Sequence, residues 1–363
     1  MMKKLLYILS ILCVFYMCAL AKTVQAACTK DGYCDRPIQM GVSISNTPST
    51  PFIYAGTAGM RVHPFGAPGV KLILSNNHVL GAVGPDLCPN SADDFPPPMT
   101  WAVQPGSLDL GFDPGNDPAY LAGAALRFVP IDFSDGAQNT VDAAIALTTP
   151  GLASAEILGL GQPNPILGIA TVGMPITKSG RTTGVTTGKV IAINSTVNVS
   201  YGQCGTATFV GQVLTTAGLG DSGDSGSVVL EQGTNTPVGL YFAGSALTGV
   251  MNPILDVYLA LKVFVDSDIP SPAVSESDIR RKASRLPIDS RIKALKIIQA
   301  RHEARILSLR GVRGVGIGMD ETGKAPILVV FCEKVTRELS EAIRSEVSGA
   351  KVRLFESGEI VAH

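Results

Sequence analysis

From residue 36 to about 265 the chain is a succession of short apolar or alternating runs cut by Gly, Pro, Asn and Asp. Val70-Lys71-Leu72-Ile73-Leu74, Lys189-Val190-Ile191-Ala192-Ile193 and Ser227-Val228-Val229-Leu230 are examples. Strands at this spacing, with no long helical pattern between them, predict an all-β sandwich or barrel. Asp86 to Pro98, rich in Pro and Asp, reads as a long loop, and Asp109 to Asp117 resembles it. The Asp spacing matches no calcium-binding loop, so these charges read as solvated.

The pattern changes near residue 269, where Ile269-Pro270-Ser271-Pro272 signals a linker. Ser290 to Leu309 follows with Ile292, Leu295, Ile298 and Ile306 near helical spacing, and Asp289 or Ser290 can cap its start. Two alternating runs, Val312 to Ile317 and Pro326 to Phe331, are joined by the turn Asp320-Glu321-Thr322-Gly323. A helix over about Thr336 to Val347 and a strand over Val352 to Phe355 complete a small α+β unit of order α-β-β-α-β. Its Gly314-Val315-Gly316-Ile317-Gly318 is no dinucleotide fingerprint, because a turn and a strand follow where a helix N-terminus must meet phosphate. The basic surplus of this region reads as a solvated helix face, without the aromatics or reader motif of a nucleic-acid binder. The expected organisation is a signal peptide over 1–26, a main β domain over 27–268, a linker over 269–288 and the α+β domain over 289–363.

The N-terminus has Lys3 and Lys4, an apolar stretch from Leu5 to Ala21 and the small residues Ala26-Ala27, which are the parts of a secretory signal peptide cleaved after Ala26 or Ala27. An uncleaved anchor is the alternative. Secretion to a periplasm or outside the cell is expected, with no stable membrane association after cleavage. Of seven cysteines, Cys13 and Cys18 leave with the signal. In an oxidising compartment Cys28–Cys34 would close a short loop and Cys88–Cys204 would join distant segments, while Cys332 reads as a buried small hydrophobe. No cysteine spacing suits zinc. A hydrophobic content of 45% with 16% charged residues excludes a disordered chain, and a net charge of −1 offers no global attraction for nucleic acid.

The chemistry-bearing segment is Gly220-Asp221-Ser222-Gly223-Asp224-Ser225-Gly226-Ser227. A serine flanked by glycines before a strand is exposed by a sharp turn, and the bare glycine amide can point at a carbonyl. A serine hydroxyl needs a base. Of the four histidines, His78 sits directly after a strand, in Asn76-Asn77-His78-Val79-Leu80, and His63 lies in a loop before Pro64; His302 and His363 are the others. The base in turn needs a buried carboxylate. Asp142 heads the apolar run Ala143 to Leu147 and must have a partner there; Asp132 and Asp135, in a more polar stretch, fit less well.

These segments, in the order His78, Asp142, Ser225, resemble the trypsin-like (chymotrypsin-fold) serine peptidases, most of all their bacterial secreted branch. The resemblance spans about residues 40 to 265. It implies an all-β double six-stranded antiparallel barrel, here with the α+β domain appended, and a site in the cleft between the barrels. It also implies a serine endopeptidase in which Ser225 attacks, His78 is the base, Asp142 orients it, and the amides of Gly223 and Ser225 form the oxyanion hole. No cofactor or metal is implied, and the partner is a protein or peptide substrate. The tandem repeat leaves two registers open. Ser225 is followed by Gly226, Ser227 and a β-run, as the family pattern requires, whereas Ser222 is followed by Gly223 and the charged Asp224. No new amino terminus starting with a bulky aliphatic pair is evident, so local hydrogen bonds are expected to hold the active conformation.

The same resemblance places the primary pocket at Leu219 and at Phe242, Ala243 and Gly244. With Leu219 where a trypsin-type pocket holds an acid, a small or apolar residue before the cleaved bond is expected. Gly180-Arg181-Thr182-Thr183-Gly184 reads as a strand-connecting turn, or else as a cleft wall. A catalytically weak scaffold that binds protein partners is the alternative function. The C-terminal region, whose partner the sequence does not name, is either a recruiting module or a removable propeptide or inhibitor.

Overall fold

A computed structural model describes residues 28–47, 53–81, 88–90, 100–270, 273–284, 290–347 and 349–363. The expected signal peptide and most of the loop from Asp86 to Pro98 lie outside these residues.

The first half forms a closed ring of strands. Val42–Thr47 pairs with Gly56–Ala58, which continues through Gly59 into Met60–Pro64. The ring then runs through Lys71–Ser75, Ala144–Thr148, Leu121–Phe128 and Trp101–Val103, which returns to Val42–Thr47. With the run through Gly59 counted as one strand, this is a six-stranded antiparallel barrel. The second half closes likewise: Pro175–Gly180, Val228–Glu231, Thr236–Gly244, Thr248–Pro253, Thr206–Thr216 and Gly184–Ser200, which pairs again with Pro175–Gly180.

The alternation that predicted the strands is the inside–outside alternation of the barrels. In Gly184–Ser200, Val190 and Ala192 are buried and Lys189 is exposed. Ile44, Val62, Leu72, Leu74 and Ile145 fill the first core. Phe209 and Phe242 center one part of the second, and Ile176, Leu219, Val229 and Tyr241 the other. Each such fully buried side chain contributes about 1.5–3 kcal/mol.

The C-terminal elements follow the expected order: helix Ser290–Ser308, strands Val312–Met319 and Pro326–Cys332, helix Arg337–Glu346 and strand Val352–Glu356. Thr336 caps the second helix by accepting the Leu339 amide. These elements have their own apolar cluster around Leu295, Ile306, Ile317, Leu328 and Ile343. Their sheet is nevertheless continuous with the second barrel, because Ala192, Ile193, Thr196 and Val197 pair with Gly318, Ile317, Val315 and Gly314.

Several elements differ from the sequence reading. His63, expected in a loop, lies in the strand Met60–Pro64, and Asp109 sits in a one-turn helix, Ser107–Leu110. Ile254–Leu261 is a helix inside the β-rich region; it buries Ile254, Leu255, Val257, Tyr258 and Leu261, but every residue except Asp256 is apolar or aromatic, so a short apolar run gives no polar face to mark the period. The segment expected to be linker carries the helix Glu276–Ser284. Ser275 and Asp278 cap it reciprocally, and Ile279 anchors it. Finally, a short strand, Val361–Ala362, returns to the second barrel. Disulfides join Cys28 to Cys34 and Cys88 to Cys204, and Cys332 is buried and free.

Candidate active site

His78 lies in the one-turn helix Asn77–Leu80, just after the strand Lys71–Ser75. The pairing of Ser75 with Ala144 brings that turn beside Asp142. The Asp142 carboxylate is fully buried. One oxygen lies 2.5 Å from His78 Nδ1 and accepts the Tyr201 hydroxyl at 2.8 Å. The other accepts the Asn77 amide at 2.7 Å and the His78 amide at 3.3 Å. A buried carboxylate is tolerated when its oxygens are satisfied in this way. Burial pulls the imidazole of His78 toward neutrality, but the charge and hydrogen bond of Asp142 outweigh it, and the net effect is a raised pKa.

The glycine-rich loop is held from both barrels. Asp224, with no exposure, accepts the amides of Thr182, Thr183 and Asp221 at 2.9, 3.1 and 2.9 Å. Its carboxylate also pairs at 3.0 Å with Lys178, itself fully buried. Burial raises the Asp224 carboxyl, but Lys178 and the donors reverse that and hold it below its ordinary value. From the first barrel, Thr57 donates its amide to Ser225 O at 2.7 Å and its hydroxyl to Gly223 O at 3.0 Å. Two glycines are required. Gly226 has φ +94° and a Cβ there would collide with Thr57 O; Gly223 has φ +93° and a Cβ there would collide with Thr182 Oγ1.

Ser225 is fully buried, and its hydroxyl donates to Phe242 O at 3.1 Å. Among the described residues, no hydrogen bond joins Ser225 to His78. The amides of Gly223 and Ser225 have no hydrogen-bond partner among the described residues. Ser222 is exposed, on the rim of an open pocket of about 340 Å³ that His78, Arg181, Gly223 and His363 also line. His78 Nε2 faces neither serine; it lies 3.1 Å from the carbonyl oxygen of His363.

Phe242, Ala243 and Gly244 present a strand edge to the cleft: Phe242 O accepts the His363 amide at 3.1 Å, and Ala243 and Gly244 pair with Ala362 and Val361. The Leu219 side chain instead points into the second core, while its neighbours Gly218, Gly220 and Asp221 line the pocket that holds His363. Arg181 to Thr183 form the hairpin turn, and Arg181 also walls the cleft, bridging the barrels through Asp109 at 2.9 and 2.5 Å. Among the other expected candidates, Asp132 binds Ser134, His63 packs against Phe264 and His302 pairs with Glu346.

Sequence reasoning missed Tyr201, Lys178, Thr57 and the arrival of His363. Lys178 carried no signal in the sequence: the strand Pro175–Gly180 is polar in composition, and only its place between the barrels buries it. Among the described residues, no three metal-ligating side chains converge.

No protein-family model matches the chain, and no curated protein sequence is similar to it. Solved structures are similar over 63% of the chain. A glutamic acid specific serine protease, which uses a histidine triad in substrate binding, is 23% identical with a TM-score of 0.41, covering 63% of this chain and all (100%) of its own. The chymotrypsin of Cellulomonas bogoriensis is 18% identical with a TM-score of 0.40 and the same coverage, 63% and 100%. A Nocardiopsis protease is 17% identical with a TM-score of 0.40, covering 63% and 99%. With both rings closed, His78 and Asp142 on the first and Ser225 on the second, the chain has the double six-stranded antiparallel β-barrel that the resemblance implied.

Proposed function

We propose that the protein is a secreted serine endopeptidase that cleaves peptide bonds through His78, Asp142 and Ser225. The observation that carries this reading is the His78–Asp142 contact of 2.5 Å beside a cleft that Gly223 lines from the other barrel, with the amides of Gly223 and Ser225 on that loop left without partners among the described residues. Ser225 Oγ turns from Phe242 to His78 Nε2 and attacks the substrate carbonyl. His78 takes its proton, held in the correct tautomer by Asp142, and delivers it to the leaving amine. Water then attacks the acyl-enzyme by the same route in reverse. The two amides stabilise the oxyanion, each donor contributing about 3–4 kcal/mol. The Asp224–Lys178 pair supports the expectation that local bonds hold the loop. Two disulfides and the N-terminal signal pattern support secretion into an oxidising space, periplasmic or extracellular.

A fluorophosphonate probe tests the assignment. Labelling of the protein is expected to vanish in Ser225→Ala and persist in Ser222→Ala. Loss only in Ser222→Ala moves the nucleophile. No labelling of any folded form, including one shortened at the C-terminus, favours the second reading, a binding scaffold, which the bond from Ser225 Oγ to Phe242 O supports.

A further inference from the structure

Residues 361–363 lie in the cleft. After Val352–Glu356 the Ser357 amide donates to Cys332 O at 2.7 Å, and Ile360 is buried in the cluster around Phe209, Phe242 and Phe331. Ile360 O accepts the Ser200 amide at 3.0 Å. Val361 and Ala362 then run antiparallel to Gly244 and Ala243. The His363 amide reaches Phe242 O at 3.1 Å, the same acceptor that takes the Ser225 hydroxyl at 3.1 Å, so the His363 backbone lies beside Ser225. The His363 carbonyl meets His78 Nε2. The His363 imidazole nitrogen Nδ1 is 3.2 Å from the Tyr241 hydroxyl, in a pocket lined by Gly218, Gly220, Asp221 and Ser245.

We propose that Val361–His363 is an intramolecular peptide ligand of the cleft, filling the places of the residues that precede a cleaved bond, with the His363 side chain in the primary pocket beneath Tyr241. The name of the cleft rests on the peptidase reading; its occupation by the tail does not. Strand addition to an open sheet edge supplies main-chain hydrogen bonds, and a pocket at the end supplies selectivity. Tethering raises the tail to an effective concentration in the millimolar range, so a peptide of weak intrinsic affinity still fills the site. The buried Ile360 fixes the approach and lowers the ordering cost. The tail shuts the cleft in two ways: it blocks the strand edge, and it places an acceptor on the nitrogen of His78 that must receive the serine proton. The pocket accordingly takes an imidazole or a ring of similar size, where the sequence suggested a small or apolar residue.

The test uses Ser225→Ala in the full chain and the same protein lacking residues 361–363, with a fluorescein-labelled Ile-Val-Ala-His peptide and polarisation as the readout. The shortened protein keeps Ile360 and is checked by its thermal unfolding; His363→Gly in the full chain is the milder companion. The shortened form is expected to bind at least tenfold more tightly than the full chain, His363→Gly to fall between, and Ile-Val-Ala-Ala to bind several-fold more weakly than Ile-Val-Ala-His. Equal binding by full and shortened proteins, or none by a folded shortened protein, overturns the proposal. Fluorophosphonate labelling of the shortened protein with Ser225 intact judges the peptidase reading separately. Peptide binding without labelling keeps the tail as ligand and removes the peptidase; labelling without peptide binding does the reverse.

Discussion

His78 is held between two acceptors, with the Asp142 carboxylate 2.5 Å from Nδ1 and the His363 carbonyl 3.1 Å from Nε2. Both ring nitrogens can then be satisfied as donors only in the imidazolium form, which agrees in direction with the raised pKa. Asp142, Tyr201 and His363 are the groups that face the ring. A base must be neutral to act. Fluorophosphonate labelling of the full chain is therefore expected to rise with pH through a midpoint above the ordinary histidine value of about 6.5, and removal of residues 361–363 to move that midpoint down. The sign for stability is the opposite: a raised folded pKa gives stabilisation that is complete below the ordinary value and lost as pH rises through the raised one. A labelling midpoint that does not move on removal of the tail counts against this account.

Lys178 and Asp224 form a pair with neither side chain exposed. Removing one partner strands the other, so Lys178→Met is expected to cost about 3–5 kcal/mol in urea unfolding at pH 7. Lys178→Met with Asp224→Asn is expected to cost less than the single change. Because the Asp224 carboxyl is depressed, its stabilisation is present above the ordinary carboxylate value and is lost as pH falls through the depressed one. The wild type should lose stability on acidification more steeply than the double variant.

The Tyr201 hydroxyl is one of four donors on Asp142. Tyr201→Phe keeps the ring and its contact with Phe209 while removing one hydrogen bond. Stability is expected to fall by about 1 kcal/mol. The labelling rate is expected to fall several-fold with no loss of fold, as read by circular dichroism. An unchanged rate would show that the remaining donors suffice to set the base.

At Gly223 the backbone has φ +93° and no room for a Cβ. Gly223→Ala is expected to cost at least about 1–2 kcal/mol, since the strained conformation and the clash with Thr182 add. Its labelling is expected to drop by about a hundredfold or more as the amide turns away. Near-normal labelling would remove that amide from the oxyanion hole.

Much of the architecture was legible where one physical signal dominated. The helix expected over Ser290 to Leu309 is found at Ser290–Ser308, because its apolar positions fall on one face above a solvated one. Asp142 was legible because a carboxylate heading an apolar run must be paired. Tyr201 was not, since one aromatic residue at a strand end has no pattern to set it apart. The helix Ile254–Leu261 was hidden because it is short and apolar at every position but Asp256, so its sequence reads as a buried strand as readily as a helix. The path of Val361–Ala362 depends on distant partners, Ala243 and Gly244, so no local feature of the last residues announces it.

The seam between Gly184–Ser200 and Val312–Met319 has a consequence for cutting the molecule. A fragment ending near residue 268 would leave a long barrel strand with a bare row of N–H and C=O groups beside apolar residues such as Ile193. Such an open margin templates neighbours of its own kind. Barrels made without their C-terminal segment should stick to one another, which makes that segment a solubility device whatever else it does.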